Sequence, residues 1–303
     1  MKNVIVTGAA GFFGINLVDK LLKEGFFVTA AVRPGSPHNK RLEEYGGTDR
    51  LFIVESDMED TEGLVSRLLS QGFSGSPGYD VFYHLAWGGD RNDVNAQIRN
   101  TRQALKALEA SRLLNCRRFI CAGSQAEYGL KEDVITEDVM CDPVTAYGAA
   151  KLSACMLTRL RASELGIEWI WGRIFSLIGK YEPRGRMLPD LVKALKNGET
   201  MRLSSCTQSW DYLDAEDAAK AFVLLGERGR AGEIYNIANG DFHELKYYTE
   251  LAGRRFDKGG EIIYGEAPRP FVSLKPSVEK LKRDTGWEPR ISFEESLDRY
   301  GEY

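Results

Sequence analysis

Short apolar runs alternate with longer amphipathic stretches through the first half of the chain. The short runs are rich in β-branched residues and predict buried strands, whereas apolar residues that recur every three or four positions predict helices. The predicted strands span residues 4–7, 27–32, 51–54, 81–86, 118–122 and 169–174. The predicted helices span residues 14–25, 93–112 and 143–165. This alternation favours an α/β fold, in which a parallel sheet carries helices on both faces.

The pattern changes after about residue 175. The helical stretches become shorter, and residues beyond 240 carry several Pro and Gly. Residues 232–239 form another apolar run and predict a strand that returns to the main sheet. The sequence therefore predicts a main domain over 1–174, completed by 232–239, and a smaller C-terminal α/β substrate lobe over 175–231 and 240–303.

Composition and charge exclude several classes of protein. The 303 residues are 43% hydrophobic and 28% charged, which is ordinary for a globular chain and excludes disorder or a coiled coil. Forty Lys and Arg against 44 Asp and Glu give a net charge of −4, which argues against nucleic acid as a partner. Neither an apolar stretch of about 18 residues nor a secretory signal is present, so we expect no membrane partner and a cytoplasmic location. The five Cys and three His are scattered, and no metal site is predicted.

A glycine motif, Thr7-Gly8-Ala9-Ala10-Gly11-Phe12-Phe13-Gly14, follows the first predicted strand and opens the first helix. Gly8 suits a tight turn, Gly11 lets a pyrophosphate approach the backbone, and Gly14 permits close packing of helix on strand. The free N–H groups of the helix start then face the phosphates. In this strand–turn–helix context the motif predicts a Rossmann-type doubly wound sheet that binds a dinucleotide through Gly8, Gly11, Phe12, Phe13 and Gly14.

The residues at the end of the second strand indicate which dinucleotide the protein prefers. Enzymes that use NAD usually carry Asp or Glu there, to bond the ribose hydroxyls. This chain instead has Arg33, which suits a 2′-phosphate, with Ser36, Lys40 or Arg41 as helpers. We therefore expect a preference for NADP(H), with NAD(H) as the alternative.

The candidate catalytic residues are Ser124, Tyr147 and Lys151. Tyr147 and Lys151 are four residues apart and share one face of the third predicted helix. A nearby ammonium stabilises a phenolate, so the tyrosine can exchange a proton with a carbonyl or hydroxyl group during hydride transfer. Ser124 follows the fifth strand, at the edge where such sheets bind ligands. It could bond the reacting oxygen or merely cap a turn.

Motifs along the whole chain together resemble the extended short-chain dehydrogenases/reductases of the nucleotide-sugar epimerase/dehydratase family. They are TGAAGFFG, YHLAW, GSQAEYG, YGAAK, GRIFSLIG and SWDYLDAEDAA. The resemblance implies a Ser124, Tyr147 and Lys151 triad and a homodimer. It also implies that Asp57 and Met58 flank the adenine, that Leu85 and Ala86 line the cofactor channel, and that Ile174 lies near the nicotinamide. The implied nucleotide-sugar contacts are Trp87, Gln125, Ser176, Leu188, Trp210 and Arg269. The family usually has Pro, Asn and Arg where this chain has Ile174, Ser176 and Trp210.

The resemblance leaves several reactions open. Family dehydratases carry an acid where this chain has Ala126, and we expect the neighbouring Glu127 to be structural. The GSQAEYG motif and Arg33 favour an NADP(H)-dependent reductase of a nucleoside-diphosphate-4-keto-6-deoxyhexose. The main alternative is an NAD-dependent nucleotide-sugar 4-epimerase. A non-catalytic binding protein and a reductase of non-sugar carbonyls, as in flavonoid-type reductases, rank below both.

Overall fold

Strands and helices alternate along the chain of the computed structural model, which describes residues 2–70, 78–256, 258–265 and 272–300. The strands are β1 (Asn3–Thr7), β2 (Phe27–Val32), β3 (Leu51–Glu55), β4 (Val81–His84), β5 (Arg118–Ser124), β6 (Glu168–Ile174), β7 (Ser176–Ile178), β8 (Met201–Arg202), β9 (Ser209–Trp210), β10 (Tyr212–Asp214), β11 (Glu233–Ile237), β12 (His243–Glu244) and β13 (Ile262–Ile263). The α-helices are α1 (Phe12–Lys23), α2 (Thr61–Leu68), α3 (Val94–Leu113), α4 (Ala146–Leu165), α5 (Met187–Lys196), α6 (Ala215–Arg228), α7 (Leu245–Phe256), α8 (Glu279–Thr285) and α9 (Phe293–Tyr300).

Among the described residues, the main sheet has seven strands in the order β11-β6-β5-β4-β1-β2-β3, all parallel. Val4 and Val6 of β1 pack in the core that contains α1 and α6, whereas Ile5 packs in the core that contains α3 and α4. This alternation follows from the two-residue period of a strand whose two faces are both covered. The sheet confirms the predicted doubly wound fold.

The element ends differ from the predictions by a few residues, for local reasons. Helix α1 begins at Phe12, before the predicted position, because extended Gly11 (φ −69°, ψ 172°) is its cap. Helix α4 begins at Ala146, after the predicted position, because the hydroxyl of Thr145 accepts the N–H of Gly148 at 3.0 Å. Strand β4 ends at His84, two residues before the predicted end.

The smaller lobe packs α5, α7 and α9 around a separate core that includes Leu191, Leu195, Tyr248 and Phe293. Its strands form pairs: β7 with β10, β8 with β13, and β9 with β12. Helix α6 falls in the range predicted for the lobe, yet it packs beside α1 on the main sheet. The predicted domain bounds, the homodimer and the location stay predictions.

In the part of the chain that the structure describes, no helix combines the length and apolar character needed to cross a bilayer. The same residues contain no cluster of His, Cys, Asp or Glu side chains suited to a metal ion.

Candidate active site

The strand order reverses between β1 and β4, and such a switch point opens a crevice at the carboxyl ends of the strands. Thr7 and His84 are paired in register at these ends, with Thr7 Oγ1 2.9 Å from His84 Nδ1. Burial, and then the nearby Lys151 ammonium, lowers the pKa of His84 to about 3. His84 is therefore neutral at physiological pH and joins the two strands without adding charge.

The glycine motif forms the floor of this crevice. Gly8 has φ +69°, and a Cβ there would lie 2.8 Å from the backbone nitrogen of Ala86. A Cβ on Gly14 would lie 2.1 Å from the carbonyl oxygen of Gly8. Glycine is thus required at both positions by contacts within the fold. The N-cap of α1, Gly11, has no side chain, so the first N–H groups of this helix open onto the crevice.

A cleft of about 760 Å³ runs from the glycine motif to the smaller lobe. It brings together most of the residues singled out in the sequence. Those that line it are Gly8, Gly11, Phe12, Phe13, Gly14, Leu85, Trp87, Ser124, Gln125, Tyr147, Lys151, Ile174, Ser176, Leu188 and Trp210.

Lys151 and Tyr147 lie on the first turns of α4 at the wall of this cleft. Lys151 is 3% exposed, and its ammonium donates to the carbonyl oxygen of Ala122 at 2.6 Å. The same Nζ lies 3.6 Å from the centroid of the Trp87 ring. The Tyr147 ring stands edge-on to the Trp87 ring, with centroids 6.2 Å apart. The Arg91 guanidinium lies 4.3 Å from the centroid of the Tyr147 ring. Trp87 thus packs against both candidate catalytic side chains, and Arg91 packs against Tyr147.

Ser124 ends β5 and caps a short 3₁₀ turn. Its hydroxyl oxygen accepts the N–H of Ala126 at 3.2 Å, which leaves the O–H to donate to an oxygen in the cleft. Capping and substrate binding, the two roles considered for this serine, are therefore compatible.

Glu127 lies behind Ser124 and is fully buried. Its carboxylate accepts from the Ser124 N–H (2.8 Å), the Trp171 indole (2.9 Å) and the Arg173 guanidinium (2.8 Å). All these contacts are internal to the fold. They agree with the structural role expected for Glu127 and fix the backbone that presents Ser124.

Helix α4 passes very close to the Ser124 turn, since a Cβ on Gly148 would lie 2.3 Å from the carbonyl oxygen of Ala126. We expect Gly148→Ala to push Tyr147 away from Ser124 and lower kcat about tenfold to a hundredfold, because small misplacements of reacting groups are costly. Steady-state kinetics checks this, with Gly47→Ala as the control because a Cβ there meets nothing within 4 Å. An unchanged kcat in Gly148→Ala would contradict the assigned geometry.

A second cleft of about 500 Å³ continues from the glycine motif to the far ends of β2 and β3. Arg33, Ser36, Asp57, Met58, Leu85 and Ala86 line it. Arg33 is exposed there, and its carbonyl oxygen accepts from the Asn39 side chain at 3.0 Å. Arg41, named as a helper, does not line this cleft; it donates to the carbonyl oxygen of Ala10 at 2.9 Å and lies 4.5 Å from the Tyr181 ring centroid. Lys40 is absent from this lining.

The residues predicted to contact the substrate differ in how far they are buried and in which core they pack against. Leu188 is only 1% exposed and belongs to the core of the lobe, so it offers the cleft little surface. Trp210 packs between that core and the core of the main sheet. Arg269 lies outside the described residues. The roles assigned to all these side chains stay predictions.

The sequence presents Arg91 only as the end of a loop, residues 87–91, that either touches the sugar or is a plain connection; it lines the cleft. Several other polar residues of the cleft were not found from the sequence. They are Glu182, Arg186, Arg202, Ser204 and Gln208. Burial raises the pKa of Glu182 to about 7, although the Arg186 guanidinium 3.9 Å away opposes this. These residues come from separate loops and short strands, where no periodic or spaced pattern marks them.

The arrangement can move a proton and hold an anion. Tyr147 and Ser124 place two hydroxyl groups near a buried ammonium, which suits acid–base chemistry at a substrate oxygen. Arg186 and Arg202, on the lobe side of the same cleft, suit a phosphorylated substrate.

Comparison with known proteins agrees with this fold. A UDP-glucose 4-epimerase from Corynebacterium glutamicum is 29% identical, with 94% of this chain and 90% of that protein covered. The solved structure of a UDP-glucose 4-epimerase from Thermotoga maritima with UDP-glucose is 26% identical, with a TM-score of 0.85 and coverage of 99% and 98%. RMD from Pseudomonas aeruginosa complexed with NADPH shares the fold at 21% identity, with a TM-score of 0.79 and coverage of 99% and 97%. The model of the NAD dependent epimerase/dehydratase family matches residues 4–238, and the chain belongs to this family.

Proposed function

We propose that this enzyme is an NADP(H)-dependent reductase of a nucleoside-diphosphate-4-keto-6-deoxyhexose. The observation that carries the proposal is Arg33, exposed in the second cleft at the end of β2, where an NAD enzyme would have an acid. A preference for NADP(H) suits an enzyme that consumes exchangeable reduced cofactor. Ala126 stands where a family dehydratase has its acid, which disfavours dehydration.

The two clefts fit a nicotinamide dinucleotide. Gly8 and Gly11 line both clefts, so a dinucleotide can run from Arg33, past the open N-terminus of α1, to Tyr147. Its phosphates would lie against the N–H groups of that helix. When bound, the reduced nicotinamide supplies a hydride to C4 of the sugar.

Side chains of the protein orient the 4-keto oxygen and supply the proton. Ser124 donates a hydrogen bond to the 4-keto oxygen and orients it. Tyr147 then gives its proton to that oxygen as the carbon is reduced. The Lys151 ammonium, 5.9 Å from the Tyr147 ring centroid, stabilises the phenolate that remains.

The proposal is tested by mixing the enzyme with NADPH or NADH and 4-keto-6-deoxy sugars linked to GDP, CDP, dTDP or UDP. We expect NADPH to be oxidised stoichiometrically with one of the four nucleotides, and faster than NADH. The loss of reduced-nicotinamide absorbance measures this. Absence of net oxidation with all four would contradict the reductase.

A second candidate is a nucleotide-sugar 4-epimerase, favoured by the two UDP-glucose 4-epimerases to which the chain is similar. The same three residues would serve it, with Tyr147 taking a proton and then returning it. An epimerase keeps its cofactor, so NAD released on denaturing the purified protein, together with epimerised sugar and no net oxidation, would favour this alternative.

A further inference from the structure

The buried amide of Gln208 distinguishes the lobe side of the cleft. Gln208 is 2% exposed and lines the cleft, yet neither its Nε2 nor its Oε1 has a hydrogen-bond partner among the described residues. Gln97 is equally buried, but its amide accepts from the Trp87 indole at 2.9 Å and donates to the carbonyl oxygen of Asp90 at 2.8 Å. Buried amides are normally satisfied, so an unpaired one on a residue that lines a cleft points to a ligand.

The backbone around Gln208 is fixed by hydrogen bonds, so the lack of a partner for its amide does not reflect a loosely held segment. The Gln208 carbonyl oxygen accepts the N–H of Leu245 at 2.9 Å. Three residues on, the buried Asp211 carboxylate accepts the N–H groups of Asn239 (2.9 Å) and Gly240 (2.7 Å), just beyond β11. These bonds fasten the segment to the carboxyl edge of the main sheet, where ligands bind in such folds.

We infer that Gln208 is a specificity-determining residue that binds the nucleoside diphosphate half of the substrate; this rests on the proposed function. The reacting carbon of the sugar belongs beside Tyr147 and Ser124, on the opposite, main-sheet side of the cleft. Gln208 shares the lobe side with the cations of Arg186 and Arg202, which suit diphosphate oxygens. Its amide adds one donor group and one acceptor, which the polar edges of a phosphate, ribose or base can satisfy.

This role has a signature that a structural glutamine lacks. Removing the side chain of a satisfied amide destabilises the fold, because its partners are left unpaired. Replacing an amide that has no partner within the fold by an isosteric apolar residue removes only a desolvation penalty. Gln208→Leu should therefore keep or raise the thermal stability of the ligand-free enzyme while it weakens ligand binding.

The experiment measures Tm and the Kd for UDP, GDP, dTDP and CDP by calorimetry, on the full chain. For the diphosphate that the wild type binds best, we expect Gln208→Leu to raise Kd about tenfold, as loss of a buried hydrogen bond does, with Tm unchanged or higher. In turnover, KM should rise more than kcat falls. Asn236→Leu is the matched control, because the buried Asn236 amide bonds to Tyr128 and to the carbonyl oxygen of Ile135. It should lower Tm and leave Kd unchanged.

Each contrary result has its own meaning. A lower Tm or failure to fold in Gln208→Leu, or an unchanged Kd, would overturn the role of Gln208 and leave the proposed function intact. A wild-type enzyme that binds none of the four diphosphates would overturn both, since this binding requires no turnover.

Discussion

Tyr147→Phe should lower kcat about a thousandfold, because general acid–base catalysis by a positioned side chain contributes roughly 10²–10⁴. The reductase and the epimerase both require a proton to be exchanged at the sugar oxygen, so the loss is expected for either reaction. The change deletes one oxygen, and the ring keeps its contacts with Trp87 and Arg91. Folding and cofactor affinity should therefore be unaltered.

Single-turnover kinetics with saturating cofactor would measure this loss, and titration of the reduced cofactor would show that binding is retained. Tyr247→Phe is a matched control, because Tyr247 is an exposed side chain of α7 that lines neither cleft. If Tyr147→Phe kept a tenth of the wild-type rate, Tyr147 would not be the proton donor.

Glu127→Leu should lower the free energy of unfolding by about 3–5 kcal/mol, the usual cost of leaving one member of a buried ion pair alone. Glu127 is fully buried, and its partner Arg173 is only 3% exposed. The replacement also removes the acceptor for the Ser124 N–H and the Trp171 indole. Urea denaturation monitored by tryptophan fluorescence measures the difference.

The double variant Glu127→Leu with Arg173→Met separates the charge from the rest of the network. A buried ion pair can often be exchanged for apolar side chains at little cost, so this variant should recover most of the lost stability. Glu109→Gln, which breaks an exposed pair with Arg161, should have a much smaller effect than Glu127→Leu. Equal losses in the single and double variants would show that the ion pair is not the source of the destabilisation.

The parts of this protein that local patterns determine could be predicted from the sequence. Gly8, Gly11 and Gly14 occur at the spacing that a strand–turn–helix unit needs, and Tyr147 and Lys151 are one helical turn apart. Both patterns are set by backbone geometry within a few residues, so the sheet and its crevice could be predicted from them. The position of Ser124 after a strand placed it at the ligand-binding edge, and the family resemblance implied that it meets Tyr147 and Lys151 in one cleft.

The lobe side of the cleft was not predictable in this way. Arg186 precedes α5, Arg202 ends β8 and Gln208 precedes β9, so three separate segments meet only through long-range packing. Arg41 shows the same limit, because its contact with the carbonyl oxygen of Ala10 depends on how the loop after β2 returns to the glycine motif. What these side chains touch is decided by tertiary structure and not by spacing.

Strand β11 has a consequence for how the protein is made. It pairs with β6 along the register from Glu233 opposite Ile170 to Ile237 opposite Ile174. During synthesis, β6 therefore stays an open and largely apolar edge until the ribosome has delivered residues 175–237. Open edges of this kind readily pair with other chains. A polypeptide that ends within residues 175–232 would lack β11 and leave an incomplete sheet that is prone to aggregation. The main sheet is therefore complete only after most of the lobe has been synthesised.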